Sequence, residues 1–181
     1  SATVTGEFNF INNTWDNVKY GIYWTGGTTN YSDCNLNIVG NTFNDLYAYG
    51  AYVTYQAHMY AANNTLNWAA SSTSTKYGFY CLSSSTTSTT VTYKGKSATF
   101  VNNTLNNPST SGAFYGFRCY YLTDSAHFSN NYINSNGSSN FYGIQVQGTI
   151  SGQTLDKVEI LNNEMIGKNH TSTAYGMYLL Y

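Results

Sequence analysis

The sequence predicts an all-β fold, a parallel solenoid of about six coils, on three observations. A five-residue stretch, Tyr20-Gly21-Ile22-Tyr23-Trp24, returns five more times along the 181 residues. An eight-residue stretch holding a pair of asparagines returns in step with it. Inside both, apolar side chains alternate with others at the period of two that a β-strand requires. Two motifs in step, at a loose period near thirty residues, mark a repeat architecture in which each unit buries its apolar face against the next.

The later copies of the first motif are Tyr49-Gly50-Ala51-Tyr52-Val53, Tyr77-Gly78-Phe79-Tyr80-Cys81, Tyr115-Gly116-Phe117-Arg118-Cys119, Tyr142-Gly143-Ile144-Gln145-Val146 and Tyr175-Gly176-Met177-Tyr178-Leu179. Successive glycines are 29, 28, 38, 27 and 33 residues apart. The first and third residues after each glycine are expected to point inward. The second (Tyr23, Tyr52, Tyr80, Arg118, Gln145, Tyr178) is expected to point out. Glycine after tyrosine allows a bend or a tight backbone approach.

The second motif reads Phe8-Asn9-Phe10-Ile11-Asn12-Asn13-Thr14-Trp15 and recurs at 36–43, 59–66, 98–105, 126–133 and 158–165. Its first and third places form two inward rows, and a third apolar row follows the corner: Trp15, Phe43, Leu66, Leu105, Ile133 and Met165. Asparagine suits the corner because it tolerates left-handed backbone and bonds nearby main chain. With coils about 4.8 Å apart, six make a core roughly 29 Å long. Asn13, Asn41, Asn64, Asn103, Asn131 and Asn163 then form an asparagine ladder. Ser/Thr-rich or turn-rich insertions at 69–75, 83–92, 109–113 and 135–140 are expected to protrude from corners, where repeat folds take extra length. No boundary divides the chain, so residues 1–181 read as one domain.

Composition narrows the function. Only 8% of residues are charged, against about 25% in ordinary soluble domains. A net charge of -1 without a basic cluster gives no electrostatic footprint for nucleic acid. No apolar run approaches the roughly 20 residues of a membrane span. Ser1-Ala2-Thr3 opens no signal region, so one either never existed or was removed. Weak charge with abundant Asn, Ser, Thr and Tyr suits an extracellular surface.

An apolar strand ending in Asn-Asn-Thr, followed by a Tyr-Gly-apolar-Tyr-apolar strand, resembles the right-handed parallel β-helix repeat of pectate-lyase-like proteins and of adhesin-like surface proteins of bacteria and archaea. The resemblance runs from Phe8 to Tyr181. It implies a right-handed solenoid and leaves activity open, since lyases, hydrolases, tailspikes and adhesins share this scaffold.

Enzymes of this kind resemble one another in clustering acids on neighbouring coils. Here Asp16 and Asp45 fall out of step after their corners, and Asp156, Lys157 and Glu159 read as a solvated edge. Paired carboxylates at a defined separation, the requirement of glycoside hydrolysis, are not expected. No catalytic residue, cofactor or metal site is predicted. Arg118 replaces a tyrosine in its row and is expected to lie flat on Tyr80 or another neighbour as a cation–π contact. His58 and His127 read as sharing a register two coils apart, roughly 10 Å and too far to share a metal. With His170 they read as surface histidines.

Cys81 and Cys119 occupy one inward position on consecutive coils, within disulfide reach at roughly 5 Å between Cα atoms. The favoured alternative is a pair of small buried side chains, because parallel neighbours rarely meet the disulfide torsion. Cys34 stays unpaired either way. Of six Asn-X-Ser/Thr sequons, Asn30, Asn136 and Asn169 lie in expected loops and are the candidate glycosylation sites.

Tyr23, Tyr52, Tyr80 and Tyr178, with Arg118, form an outward row that is a candidate surface for binding glycans or bundling rods. Tyrosine also favours exposed strand positions for its own sake. The chain starts and stops beside strand motifs without a capping helix, so the end coils expose edges. The expected function is therefore a non-enzymatic extracellular structural protein, a filament or adhesin-stalk subunit. Its partners would be copies of itself, head to tail, or neighbouring coils of a longer chain, with glycans as further ligands. The alternative is a carbohydrate-active enzyme or a tailspike-like glycan-binding fragment.

Overall fold

The computed structural model describes residues 6–26, 35–82, 95–137, 139–148 and 155–180. Its eighteen strands fall into six coils of three. The first coil is β1 (Glu7–Ile11), β2 (Thr14–Asp16) and β3 (Tyr20–Thr25), and the second is β4 (Asn35–Val39), β5 (Thr42–Leu46) and β6 (Tyr49–Thr54). The third is β7 (His58–Ala62), β8 (Thr65–Trp68) and β9 (Lys76–Leu82), and the fourth is β10 (Gly95–Val101), β11 (Thr104–Asn107) and β12 (Phe114–Tyr120). The fifth is β13 (Leu122–Ser129), β14 (Tyr132–Asn136) and β15 (Phe141–Gln147), and the sixth is β16 (Lys157–Leu161), β17 (Glu164–Lys168) and β18 (Ala174–Leu180). Every strand pairs in parallel with its equivalent one coil away, which gives three six-stranded sheets that begin at β1, β2 and β3. The chain is a parallel β-solenoid.

The register aligns the repeats as the motifs align them. Phe10, Ile38, Ala61, Phe100, Phe128 and Ile160 are successive partners in the first sheet. Ile22, Ala51, Phe79, Phe117, Ile144 and Met177 are partners in the third. These rows meet at the axis: Phe79 stacks on Phe117 at 5.6 Å, Phe100 on Phe128 at 5.2 Å, and Phe100 touches Phe117 at 4.8 Å.

The two corner asparagines divide the labour that one corner must do. The first residue of each pair takes the left-handed conformation: Asn12, Asn63, Asn102, Asn130 and Asn162 at φ between 54° and 56°, and Gly40 at 68°. The second builds the ladder. Asn64 donates from its backbone N–H and from Nδ2 to Asn103 Oδ1, at 3.1 and 2.9 Å. Its Nδ2 also donates to the Ile38 carbonyl at 2.7 Å. The main-chain partner therefore lies one coil back, and the same pattern runs from Asn13 to Asn163.

The glycines answer a different need. A Cβ on Gly21 or Gly50 would stand 2.6 Å from the carbonyl oxygen of the next glycine in the row and would also meet Phe43 or Leu66. Close approach requires the glycine, and none of Gly21, Gly50, Gly78, Gly116, Gly143 or Gly176 has a positive φ. Alternation breaks there, because Gly78 and Phe79 are both buried.

The insertions at 69–75 and 109–113 are tucked in more than a protruding loop would be. Ser72 and Ser109 are buried, and Ser109 Oγ donates to the Ser72 carbonyl at 2.6 Å. Between these segments lies Lys76, fully buried in register with Phe114. Its Nζ donates to the carbonyls of Ser74 and Ser111 at 2.9 and 2.6 Å, and burial pulls its pKa down to about 8. The 83–92 insertion, Cys34 and Asn30 lie outside the described residues.

Candidate binding surface

Two columns of side chains run along the outer face of the third sheet. Tyr20, Tyr49, Tyr77, Tyr115 and Tyr142, each just before a glycine, stack with centroids 5.0, 4.6, 5.0 and 4.8 Å apart. Tyr175 continues the column at 5.5 Å with its ring tilted 45°. The second column starts with Tyr23, Tyr52 and Tyr80, stacked at 5.1 and 5.2 Å, and continues in register through Arg118, Gln145 and Tyr178. Edge-to-face contacts lock the columns together, as between Tyr49 and Tyr52 at 5.3 Å and between Tyr142 and Tyr178 at 5.7 Å.

This packing decides what the surface offers. Interior rings cover each other's faces, so the columns present ring edges and hydroxyls outward. A sugar laid flat on a ring, the mode expected for exposed tyrosine, has an open face only towards the ends, where Tyr23 is 64% exposed. The phenols resist ionisation: burial foremost, then neighbouring tyrosines, pushes Tyr49 up to about 12, and burial likewise raises Tyr52, Tyr77 and Tyr115.

Arg118 sits among four rings. Its guanidinium carbon is 4.5 Å from the Tyr115 centroid, 4.7 Å from Tyr120, 5.4 Å from Tyr77 and 5.5 Å from Tyr80. Nε donates to the Tyr120 hydroxyl at 2.7 Å and an Nη to the Tyr77 hydroxyl at 3.1 Å. The expected cation–π contact is there, with Tyr115 nearest and Tyr80 farthest of the four. Beside it in register, buried Gln145 keeps an Oε1 without a hydrogen-bond partner among the described residues.

Other candidate residues fall as follows. Cys81 and Cys119 are register partners, and both are buried free thiols. Burial first, then the neighbouring Cys81, pushes the Cys119 thiol well up. The shared register expected of His58 and His127 is wrong: His58 aligns with Asn35 and Ser97, and His127 with Thr99 and Glu159. His58 Nδ1 pairs with Ser97 Oγ at 2.8 Å, and His170 Nδ1 donates to the Ser139 carbonyl at 2.9 Å. Glu159 bonds Lys157 at 2.8 Å and His127 at 3.2 Å, and these contacts, Lys157 first, hold its carboxyl below the usual range. Register places Glu7 beside Asn35, Asp16 beside Asn44 and Glu164 beside Tyr132, so none of these acids stands next to another. Among the described residues, no three His, Cys, Asp or Glu side chains gather as metal ligands would.

One row escaped the sequence reading. On the outer face of the second sheet, Asn44 Nδ2 donates to Asp16 Oδ1 at 2.8 Å, Asn67 to Asn44 at 3.0 Å and Asn106 to Asn67 at 3.1 Å. Its signal was an Asp or Asn immediately after the third apolar row in five of six repeats. Asn169 Nδ2 also donates to Asn136 Oδ1 at 2.7 Å, which brings two candidate glycosylation sites into contact. No family model, curated protein or solved structure matches the chain.

Proposed function

We propose that this chain is a non-enzymatic structural element of an extracellular surface, a solenoid rod extended by head-to-tail stacking. The observation that carries the reading is the polarity of the asparagine ladder. From Asn13 to Asn131, each carboxamide donates to the next rung towards the sixth coil, and each later rung accepts from the side of the first. Asn13 Oδ1 at one end and the Asn163 N–H at the other have no ladder partner among the described residues, and they are complementary to each other. The apolar rows are open in the same way: Met177 and Leu179 are 53% and 40% exposed, where their register partners Ile144 and Val146 are buried. A first coil of a second copy, or a neighbouring coil of a longer chain, placed on the sixth would continue all three sheets, their main-chain hydrogen bonds and the tyrosine columns. Glu7, Asp16 and Glu164 stand apart from other acids in register, which favours a structural role over a hydrolytic one. Outward hydroxyls and ring edges would serve lateral bundling.

Sedimentation velocity tests the stacking. The wild-type chain is expected to grow with concentration, and Met177→Lys with Leu179→Lys, at exposed positions of the sixth coil, to hold it monomeric. A wild-type chain that stays monomeric at all concentrations overturns the proposal.

A further inference from the structure

We infer that the outer face of the second sheet carries a binding site for a short oligosaccharide bearing a carboxylate. A groove of about 510 Å³ lies across β8, β11, β14 and β17, a size ordinary for small-molecule sites. Asn67, Asn106 and Asn134 line it in successive coils, with Trp68 and Pro108 as its apolar part and Lys168 as the only cation among its described lining residues. Three coil steps of about 4.8 Å give it a span of roughly 14 Å, with a rung repeat close to the length of a pyranose unit.

The groups that line the groove are not all used by the fold. The carboxamide ladder that starts at Asp16 stops at Asn106, whose Oδ1 accepts no hydrogen bond among the described residues. The Asn134 carboxamide, next in register, makes none among them either. Lys168 has no carboxylate partner among the described residues, and the described groove lining holds no acid. Carboxamides offer a donor and an acceptor together, which is the pattern a vicinal diol needs, and an unpaired ammonium selects an anion. One wall is fixed, because Asn169 and Asn136 are bonded to each other, so a glycan attached to either would fill the same groove. Trp68 is buried and its indole N–H is spent on the Ala48 carbonyl at 3.2 Å, so it adds no polar group to the groove. This site is independent of whether rods stack.

Saturation-transfer NMR on the full chain, expressed without N-glycosylation, tests the assignment. Sialyllactose and a hyaluronan tetrasaccharide are the carboxylated probes, and lactose is the neutral comparator. At least one carboxylated probe is expected to bind more tightly than lactose. Lys168→Met should remove that advantage. Asn106→Leu should weaken binding roughly tenfold, as the loss of about one net hydrogen bond implies. Unchanged melting of both variants keeps folding out of the readout, and exposed Lys168 alone suffices if Asn106→Leu destabilises the coil. Absence of transfer from all three sugars, or binding that neither substitution alters, overturns the site.

Discussion

Asn103 is fully buried, and its side chain touches three coils. Oδ1 accepts from Asn64 N and Nδ2, while Nδ2 donates to the Ala61 carbonyl and to Asn131 Oδ1. Asn103→Ala strands these groups in a dry corner and is expected to cost about 3 kcal/mol or more, read as a lower urea midpoint. Gly78→Ala puts a methyl group against the Gly116 carbonyl and Leu105, at an expected cost of about 1–3 kcal/mol. Gly176→Ala meets nothing within 4 Å in the single chain and should be nearly silent for the stability of the monomer. Equal effects at the two glycines would refute close approach as the reason for the motif. The residue scale was largely legible in the sequence, because Asn-Asn and Tyr-Gly recur at fixed places. Which asparagine turns and which bonds was not legible, since both roles suit the same side chain.

At the scale of elements, strands β9 and β12 are tied by Lys76 through two loop carbonyls. Its folded pKa near 8 lies below the usual lysine value of about 10.4. Between the two the unfolded chain holds a proton that the folded chain has lost, so this group makes stability rise with pH across that window. Tyr49 acts oppositely: pushed up to about 12, it keeps its proton while the unfolded phenol ionises above about pH 10, and stability falls. Urea midpoints measured from about pH 7 to pH 12 should therefore rise and then drop, and Lys76→Met should remove the rise alone. A monotonic curve in the wild type would contradict the assignment. Lys76 was invisible beforehand because the place before Tyr-Gly holds no constant residue type: Lys19, Ala48, Lys76, Phe114, Phe141 and Ala174. The second asparagine row was readable in principle, as one polar residue after each apolar corner partner. Of the two tyrosine columns, the row of Tyr23, Tyr52, Tyr80 and Tyr178 was foreseen as outward. Their mutual stacking depends on rotamers and on exact register, which spacing alone does not carry.

For the whole molecule, low charge and parallel register make one axis, along which the corner ladder donates towards the sixth coil and the outer row from Asp16 to Asn106 donates towards the first. The fold class, the six coils and the inward rows followed from period and alternation, because a parallel solenoid maps one repeat onto one coil. Function was less legible: a rod displays its chemistry on outward faces and end coils, and those vary between repeats. Electron microscopy of the purified chain tests axial stacking most directly. The account predicts uniform fibres with a subunit repeat of roughly 29 Å, six coils at about 4.8 Å. Dispersed short particles at every concentration would contradict it.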